Sequence, residues 1–403
     1  MTIGIVCDYN PFHNGHLYQI KKIREQFGEN TNIIAVMSGN FVQRGGVAIA
    51  DKSIRSECAV LSGVNLVLEL PFPFSMSSAE FFARAAVHIL TKIGCVDYIS
   101  FGSESGSLDE LYRIAELMLS DEFAVSLDRL SIDKEKKKLG HAALYEAALK
   151  EITGDKYAIA LTPNNILAIE YIKAIITSKS NLKIHTVKRA FNSFSDENFV
   201  SGDIQSATAI RKSICDKDIS ALEYIPDITK NVILKAISDG EFPCENEKLA
   251  TSVIASLRLN LPSLFEDIHD TSGGLYNRLK EMSFKTNTIE SLICAAESKN
   301  FTKARIRRSL FYSLLGVTSS RFKELPEYTQ LLALDSQGRA MLKTIGKQSA
   351  FPILTKPSNT DKLPDVALPQ KAISDMADSI FQLTKPIPKD GNYALRFTPF
   401  VKK

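Results

Sequence analysis

Apolar runs alternate with amphipathic segments through the first half of the chain. Five short apolar runs predict strands at residues 3–9, 32–39, 65–71, 95–104 and 182–189. The segments between them carry apolar residues three or four positions apart, which predicts helices at 16–27, 54–64, 77–94 and 161–176. Strands that alternate with helices pair in parallel through crossover connections. We therefore expect a doubly wound α/β sheet over residues 1–220.

The second half of the chain differs, because strand patterns fade after residue 220. Helical spacing recurs in five segments, at 227–238, 248–260, 273–284, 288–298 and 302–316. The last stretch contains several prolines and shows little periodicity. We therefore predict three parts, which are an α/β domain at 1–220, an α-helical domain at 221–350 and a C-terminal extension at 351–403. The extension is expected to pack back on the body as short helices and loops.

Composition places the chain among ordinary globular proteins and excludes several classes. Of its 403 residues, 44% are hydrophobic and 24% are charged, and the net charge is only +3. No apolar run approaches the roughly 20 residues that cross a bilayer, so we expect no membrane partner. The first residues show no basic and apolar leader, which predicts that no secretory signal is present.

The cysteine pattern indicates a cellular compartment. The six cysteines are Cys7, Cys58, Cys95, Cys215, Cys244 and Cys294. They form no CxxC pair and no spacing that is typical of a zinc site. Reduced thiols in a cytoplasmic protein are the simplest interpretation, and we predict no protein-bound metal.

The sequence DYNPFHNGH at residues 8–16 lies between the first strand and the first helix. Doubly wound sheets bind ligands at such carboxyl ends of strands, and a helix N-terminus offers unpaired N–H groups to a phosphate. Gly15 permits a ligand close to the backbone, and His13 and His16 can donate hydrogen bonds to phosphate oxygens. The pattern predicts a site that stabilises charge on an α-phosphate during nucleotidyl transfer.

The alternative for His13 and His16 is a structural role, in which they cap the helix or pack at the turn. A lone histidine would favour that role. Two histidines in an HxGH pattern, placed after a strand and before a helix, favour a functional role instead.

A basic segment stands out in the helical half. No acidic residue lies within residues 298–323, and the KARIRRS stretch holds Lys303, Arg305, Arg307 and Arg308. A local excess of this kind can bind the phosphate backbone of a nucleic acid. The alternative is a solvated helix face that is basic without a partner.

HNGH at 13–16 resembles the (H/T)xGH signature of the nucleotidylyltransferase superfamily, which has a Rossmann-like fold. A second signature of that superfamily is a Ser-Ser-Thr-x-Ile-Arg run at a helix start, and SATAIR at 206–211 is similar to it. Ser206, Thr208 and Arg211 match this run, whereas Ala207 replaces the second serine and lacks its hydroxyl. A plain N-capped helix is the alternative interpretation of SATAIR.

Further motifs narrow the resemblance to one family. The chain contains, in this order, the segments GIVCDYNPFHNGH, MSGNFVQRG, ELPFPFS, SFGSE, PNNILAIEY and SATAIRK. The segments ARIRRSL and LLALDSQGR follow them. Together they resemble the tRNA(Met) cytidine acetate ligase family over most of the chain. The resemblance implies an N-terminal domain that binds ATP and activates acetate as acetyl-adenylate. It also implies transfer of the acetyl group to N4 of the wobble cytidine of elongator tRNA(Met), giving N4-acetylcytidine.

The resemblance also implies a set of site residues. His13 and His16 would stabilise the α-phosphate. The ATP-binding residues would be Cys7, Asp8, Tyr9, Asn10, Pro11, Phe12, Asn14, Gly15, Gly102, Asn164, Arg189, Ser206, Thr208 and Arg211. Asn165 is the second choice in the PNNIL motif, because the helix phase is open there. The alternative for Gly102 is an ordinary turn glycine. The alternative for Arg189 is a surface arginine. Lys21 and Arg24 are expected to be solvated.

An RNA substrate would explain the basic helical segment, because contacts between basic side chains and phosphates supply much of the affinity for RNA. The resemblance therefore favours tRNA contacts for Lys303, Arg305, Arg307 and Arg308. Mg²⁺ would accompany ATP. Two other functions stay open, namely a small-molecule nucleotidylyltransferase that releases pyrophosphate and a non-catalytic nucleotide- or RNA-binding module. The long helical half argues against the first, and the intact histidines argue against the second.

Overall fold

The computed structural model describes residues 1–132, 141–154, 162–188, 205–265 and 267–403. Five parallel strands form the N-terminal part of its sheet. They are β1 (Thr2–Cys7), β2 (Asn32–Ser38), β3 (Leu66–Leu70), β4 (Tyr98–Ser103) and β5 (Lys183–Lys188). Their spatial order is β5-β4-β1-β2-β3. The five predicted strands are therefore confirmed.

The strand order reverses at β1. The chain adds β2 and β3 on one side of β1, and then β4 and β5 on the other side. Ile5 of β1 pairs with both Ala35 of β2 and Ser100 of β4, so these three parallel strands end at one edge of the sheet. Such a reversal leaves a crevice between neighbouring strand ends, where doubly wound folds bind ligands.

Helices cover both faces of this sheet. Those described in the first half are α1 (Asn14–Phe27), α2 (Lys52–Leu61), α3 (Ala79–Lys92), α4 (Leu108–Met118), α5 (Asp121–Ile132), α6 (His141–Thr153) and α7 (Pro163–Ser178). Ile20 of α1 shares a core with Ile5 on one face, whereas Phe82 of α3 and Ile172 of α7 share a core with Ile99 on the other. Burial on both faces explains why the strands are almost continuously apolar.

Helices also dominate residues 207–315, as the spacing predicts. They are α8 (Ala207–Cys215), α9 (Asp227–Ser238), α10 (Ala250–Arg258), α11 (Leu275–Ser283), α12 (Ile289–Ala296) and α13 (Lys303–Leu315). Leu257 of α10, Leu279 of α11 and Leu310 of α13 belong to one apolar core. Ala236 of α9 instead joins the core that contains α1 and α2. Among the described residues, no helix combines the length and hydropathy that crossing a bilayer requires.

The expectation that residues 221–350 are only helical is wrong at one segment. Residues Thr329–Leu334 form a strand, β6, which pairs antiparallel with β3 and is buried along its whole length. Its sequence, TQLLAL, is too short and too uniformly apolar for periodicity to separate a strand from a buried helix. The next element, α14 (Ser336–Gln348), is again helical.

The last residues of the chain extend the same sheet. β7 (Ile353–Leu354) and β8 (Phe400–Val401) both pair in parallel with β6, and α15 (Leu368–Phe381) lies between them in the sequence. Phe381 is fully buried in the core that contains α10, α11 and α13. The extension therefore packs on the body, and it includes a helix of 14 residues besides its short elements. The division into three parts stays a prediction.

A buried ion cluster connects α15 to the first half of the chain. Lys52 Nζ at the start of α2 lies 2.8 Å from Glu69 Oε1 of β3 and 2.6 Å from Asp378 Oδ2 of α15. The three side chains are only 4%, 6% and 9% exposed, and Asn40 donates to the second carboxylate oxygen of Asp378 at 2.9 Å. Removing one member of such a cluster leaves a buried charge without compensation.

Replacing Lys52 by alanine is expected to lower the free energy of unfolding by about 3–5 kcal/mol, because two carboxylates then stay buried without a cation. Urea unfolding followed by circular dichroism measures the change. Lys22→Ala is the control, since it breaks an exposed ion pair with Glu25 and should leave the free energy of unfolding nearly unchanged. Equal losses in the two variants would contradict a stabilising role for the cluster.

Candidate active site

A cavity of about 990 Å³ lies at the carboxyl edge of β1 and β4. Its walls come from the turn after β1, the end of β4 and the starts of α7 and α8. Predicted site residues on these walls are Cys7, Asp8, Tyr9, Asn10, His13, Gly15, His16, Gly102, Asn164, Thr208 and Arg211. The structure thus brings most of the predicted residues together at the strand reversal.

Four other predicted residues belong to the elements that carry these walls. Phe12 is 2% exposed and packs in the core, and Pro11 is buried next to it in the turn. Asn14 begins α1, and Ser206 caps α8 by accepting a backbone hydrogen bond at 3.0 Å. Arg189 lies outside the described residues.

The two histidines cap the start of α1. His13 Nδ1 accepts a hydrogen bond from the Gly15 amide at 3.0 Å, and His16 Nδ1 accepts from the His13 amide at 3.2 Å. The centroids of the two rings lie 3.8 Å apart, and the ring planes are inclined by 31° to each other. These bonds satisfy backbone N–H groups that the first turn of a helix otherwise leaves unpaired.

The cap also fixes which nitrogen of each ring carries the proton. A neutral imidazole has one acceptor and one donor nitrogen, and Nδ1 is the acceptor in both His13 and His16. The proton therefore resides on Nε2 in each ring. Because both rings line the cavity, they give it two oriented donors for an anionic ligand. Capping and ligand binding are thus compatible roles of the same rings.

Arg211 connects the two sequence motifs. Its Nη1 donates to the Asn10 carbonyl at 2.7 Å, and its Nη2 donates to Thr208 Oγ1 at 3.0 Å. Burial lowers the pKa of its guanidinium to about 10, and the nearby cations Arg44 and Arg307 contribute. The group still carries its charge at neutral pH. SATAIR is therefore more than a capped helix, because it places a partly buried cation beside the HNGH turn.

The cavity is also lined by cations that the sequence did not predict as nucleotide contacts. They are Arg44, Lys188 and Lys212, together with Arg307, which the sequence assigned to an RNA surface. The motifs MSGNFVQRG and SATAIRK contain Arg44 and Lys212, so the family resemblance held a signal for both. Arg44 and Arg307 lie near enough to Arg211 to lower its pKa, so these cations form a positive part of a wall that elsewhere carries Asp216, Glu245 and Glu290. Such a positive part favours a ligand with several negative charges.

Close packing of the 41–47 loop explains how Arg307 reaches the cavity. Gly45 in this loop has a φ of +90°, and a Cβ there would lie 2.7 Å from both the Arg307 Cβ and the Arg308 backbone nitrogen. Glycine alone combines this backbone conformation with so close an approach to α13. The loop and α13 therefore form one continuous wall.

Glu104 explains why the SFGSE and PNNIL motifs occur in the same site. Its carboxylate accepts hydrogen bonds from the Thr162 hydroxyl and the Asn165 amide, both at 2.9 Å. Asn165 is fully buried, and its side-chain oxygen accepts from the Glu104 amide at 2.9 Å. Asn164 instead lines the cavity, which favours it over Asn165 as a ligand contact.

Asp8 connects the ends of β1 and β2. Ser38 donates to its carboxylate at 2.5 Å, and Arg55 donates to its backbone carbonyl at 2.6 Å. Burial raises the pKa of the Asp8 carboxyl, although Ser38 and Arg55 oppose that shift. These partners give Asp8 a structural role in the motif in addition to its place on the cavity wall.

Known proteins with similar sequence and fold show the family. Residues 1–393 match the HIGH Nucleotidyl Transferase family. The tRNA(Met) cytidine acetate ligase of Thermoanaerobacter sp. (strain X514) is 39% identical over 88% of both chains, and that of Acetivibrio thermocellus is 36% identical over 92% of this chain and 91% of its own. Two crystal structures of Thermotoga maritima TmcAL, one apo and one bound with alpha-thio ATP, match with TM-scores of 0.93 and 0.90. Both are 30% identical over 99% of each chain. The chain belongs to the tRNA(Met) cytidine acetate ligase family.

Membership of the tRNA(Met) cytidine acetate ligase family confirms the resemblance that the motifs indicate. The matching structures also confirm the predicted fold class, a doubly wound α/β sheet followed by a helical region. The individual site residues stay predictions, and their convergence on one cavity supports them.

The four basic residues of α13 do not form one surface. Arg308 is buried and lies 2.6 Å from Asp270 Oδ2, and Arg305 donates to the Asp270 carbonyl at 2.9 Å. Lys303 is 46% exposed, whereas Arg307 lines the cavity. Since successive side chains leave a helix about 100° apart, neighbouring arginines face different surroundings. The structure therefore supports Lys303 and Arg307 more than the other two as RNA contacts.

Gly45→Ala is expected to lower the thermal unfolding midpoint by more than Gly28→Ala, although both glycines have positive φ. Alanine at Gly28 meets nothing within 4 Å, so it costs only backbone strain of about 1–3 kcal/mol. Alanine at Gly45 also collides with α13. Calorimetry measures both midpoints, and equal values would contradict the close packing of the loop on α13.

Proposed function

We propose that this protein activates acetate with ATP as acetyl-adenylate and transfers the acetyl group to N4 of the wobble cytidine of elongator tRNA(Met). The observation that carries the proposal is the pair of Nε2 donors of His13 and His16 in a cavity that also holds Arg211. Relatives named tRNA(Met) cytidine acetate ligase, and the TmcAL structure bound with alpha-thio ATP, support it.

In the first step, an acetate oxygen attacks the α-phosphorus of ATP, and the bond to the pyrophosphate oxygen breaks. Since the substrate supplies the nucleophile, catalysis depends on positioning and on stabilisation of charge. His13 and His16 would donate to the α-phosphate oxygens. Thr208, Arg211 and Arg44 would contact the β- and γ-phosphates, where most of the negative charge lies.

Mg²⁺ would enter the site with the triphosphate, whose oxygens are ligands that this ion prefers. Within the described part of the chain, no group of three or more His, Cys, Asp or Glu residues is placed to hold a metal ion. Phosphate oxygens and water would therefore supply most of the coordination.

In the second step, the N4 amine of the cytidine attacks the acetyl carbonyl carbon, AMP leaves, and the amine loses a proton. The base must leave its stack to reach the adenylate. Lys303 and Arg307 lie one turn apart on α13, about 6 Å along its axis. An RNA that contacts the exposed Lys303 would therefore approach the cavity at Arg307.

The extent of the match disfavours a small-molecule nucleotidylyltransferase. Relatives of the tRNA(Met) cytidine acetate ligase family match 88% of this chain, including helices that a small-molecule reaction does not need.

We also propose a cytoplasmic location. The six cysteines are free, which fits a reducing compartment.

His16→Ala is expected to lower the acetate-dependent exchange of labelled pyrophosphate into ATP by about 100-fold or more, because it removes a donor to the developing charge on the α-phosphate. This assay isolates the first step, since it needs no RNA. His88→Ala is the control, because His88 packs against Phe351, and it should retain exchange. An active His16→Ala variant would exclude the proposed role, and exchange without acetate would exclude acetate as the substrate.

Lys303→Glu is expected to weaken tRNA binding and acetylation while pyrophosphate exchange continues, because Lys303 is exposed on α13. Loss of one phosphate contact should lower the slope of log affinity against log salt concentration by about 1. Filter binding at several salt concentrations measures this slope. Lys285→Glu is the control, since Lys285 is also exposed and paired with a glutamate. The same slope for Lys303→Glu and the wild type would place the RNA surface elsewhere.

A further inference from the structure

One face of α7 lines the cavity over two turns. Asn164, Leu167, Ala168 and Tyr171 all lie on the cavity wall, and their spacing of three and four residues places them on one side of the helix. Asn164 is at the helix start, beside the predicted nucleotide contacts. Tyr171 lies about 10 Å further along the helix axis. The cavity therefore extends well beyond the first turn of α7.

One part of the cavity wall, which we call the inner pocket, is formed by Val6, Phe82, Phe101, Ala168 and Tyr171. Four of these side chains are apolar, and Phe101 stacks on the Tyr171 ring with 5.4 Å between centroids. Phe82 and Ala168 are only 2% and 1% exposed. Ala168 contributes the smallest side chain of the five and lies about one turn before Tyr171 on α7.

Tyr171 contributes a polar group to the inner pocket. Its side chain is 2% exposed, and among the described residues its hydroxyl has no hydrogen-bond partner. Buried hydroxyl groups are nearly always paired in native proteins, so an unpaired one at a cavity wall is available to a ligand. Burial and the nearby Asp8 and Cys7 raise the pKa of the phenol well above its ordinary value. Tyr171 therefore keeps its proton at neutral pH and acts as a donor.

We propose that the inner pocket binds the short carboxylic acid that the enzyme activates, with the Tyr171 hydroxyl donating to a carboxylate oxygen and the apolar walls contacting the methyl group. The assignment rests on the proposed function. A two-carbon acid has one polar end and one small apolar end, and the inner pocket offers one donor among apolar side chains. Tyr171 acts here as a binding residue that selects the substrate.

A nucleobase fits the inner pocket less well than a short acid. Adenine and cytosine each carry several donors and acceptors on their edges, and burying these groups without partners costs free energy. The electrostatic neighbours of Tyr171 also include Cys7 and Asp8, which immediately precede the turn to the HNGH motif. An acid held by Tyr171 therefore lies near the strand end that leads to His13 and His16.

Tyr171→Phe removes only the hydroxyl and retains the ring stacked on Phe101. We expect the KM for acetate in pyrophosphate exchange to rise about 10-fold or more, since a hydrogen bond to a charged group is lost. The KM for ATP should stay within about two-fold of the wild type. Tyr328→Phe is the matched control, because Tyr328 is equally buried but belongs to a separate cluster around Leu354. It should leave both KM values unchanged.

A second variant tests the size of the inner pocket. Ala168→Gly removes a methyl group from its wall, so the kcat/KM for propionate relative to acetate should rise several-fold. This readout holds even if the Tyr171 variant folds poorly. An unchanged preference for acetate in Ala168→Gly, or an unchanged KM for acetate in folded Tyr171→Phe, would overturn the assignment.

The outcomes also separate this assignment from the proposed function. Exchange by the wild type that does not depend on acetate would reject the function itself. Acetate-dependent exchange with a raised KM for ATP alone in Tyr171→Phe would retain the function and reject the inner pocket as the acid site, because it would place the nucleotide there.

Discussion

A buried guanidinium fixes the strand ends on which the candidate site is built. Arg55 of α2 is 1% exposed, and it donates to the carbonyl groups of Asp8, Ser38, Gly39 and Ala50. Carbonyl groups beyond the ends of parallel strands have no partner in the sheet, and each would cost about 1–3 kcal/mol if buried unpaired. One planar group with five donors satisfies several of them at once. The backbone beyond the ends of these strands can therefore be irregular and still be rigid.

The same arginine sets the course of the loop that joins the two halves of the molecule. The loop leaves β2 at Gly39 and returns to α2 at Ala50, and Arg55 binds it at both points. Between them, the Ile49 amide donates to the Asn10 side chain at 2.7 Å, and Gly45 lies against α13. The HNGH turn, the loop and the helical region are thus one connected structure. This connection explains why the cavity has walls from both halves of the chain.

Much of the fold was predictable because its signals are local. Both faces of β1 to β5 are covered, so each strand is a continuous apolar run, and the HNGH and SATAIR motifs mark helix starts that the structure confirms. β6 was missed because its identity depends on pairing with β3, some 260 residues earlier in the chain. The roles of Arg44, Glu104 and Tyr171 were missed for a related reason. Each role depends on neighbours that only the folded chain provides. In the same way, the sequence KARIRRS does not show which of its basic residues are buried.

The cations at the cavity differ in the strength of their contacts with the rest of the protein. This difference fits the two steps of the proposed reaction. Arg211 is partly buried and bonded to the Asn10 carbonyl, so its position is set before any ligand binds. Arg307 lies 3.4 Å from Glu290, which is 58% exposed, and such partly exposed pairs contribute about 1 kcal/mol or less. A phosphate can therefore replace Glu290 at little cost. A preorganised cation beside the HNGH turn suits the β- and γ-phosphates, because holding them in one place aligns the α-phosphate for the reaction. An exchangeable cation suits the pyrophosphate, which must leave before the second substrate reacts.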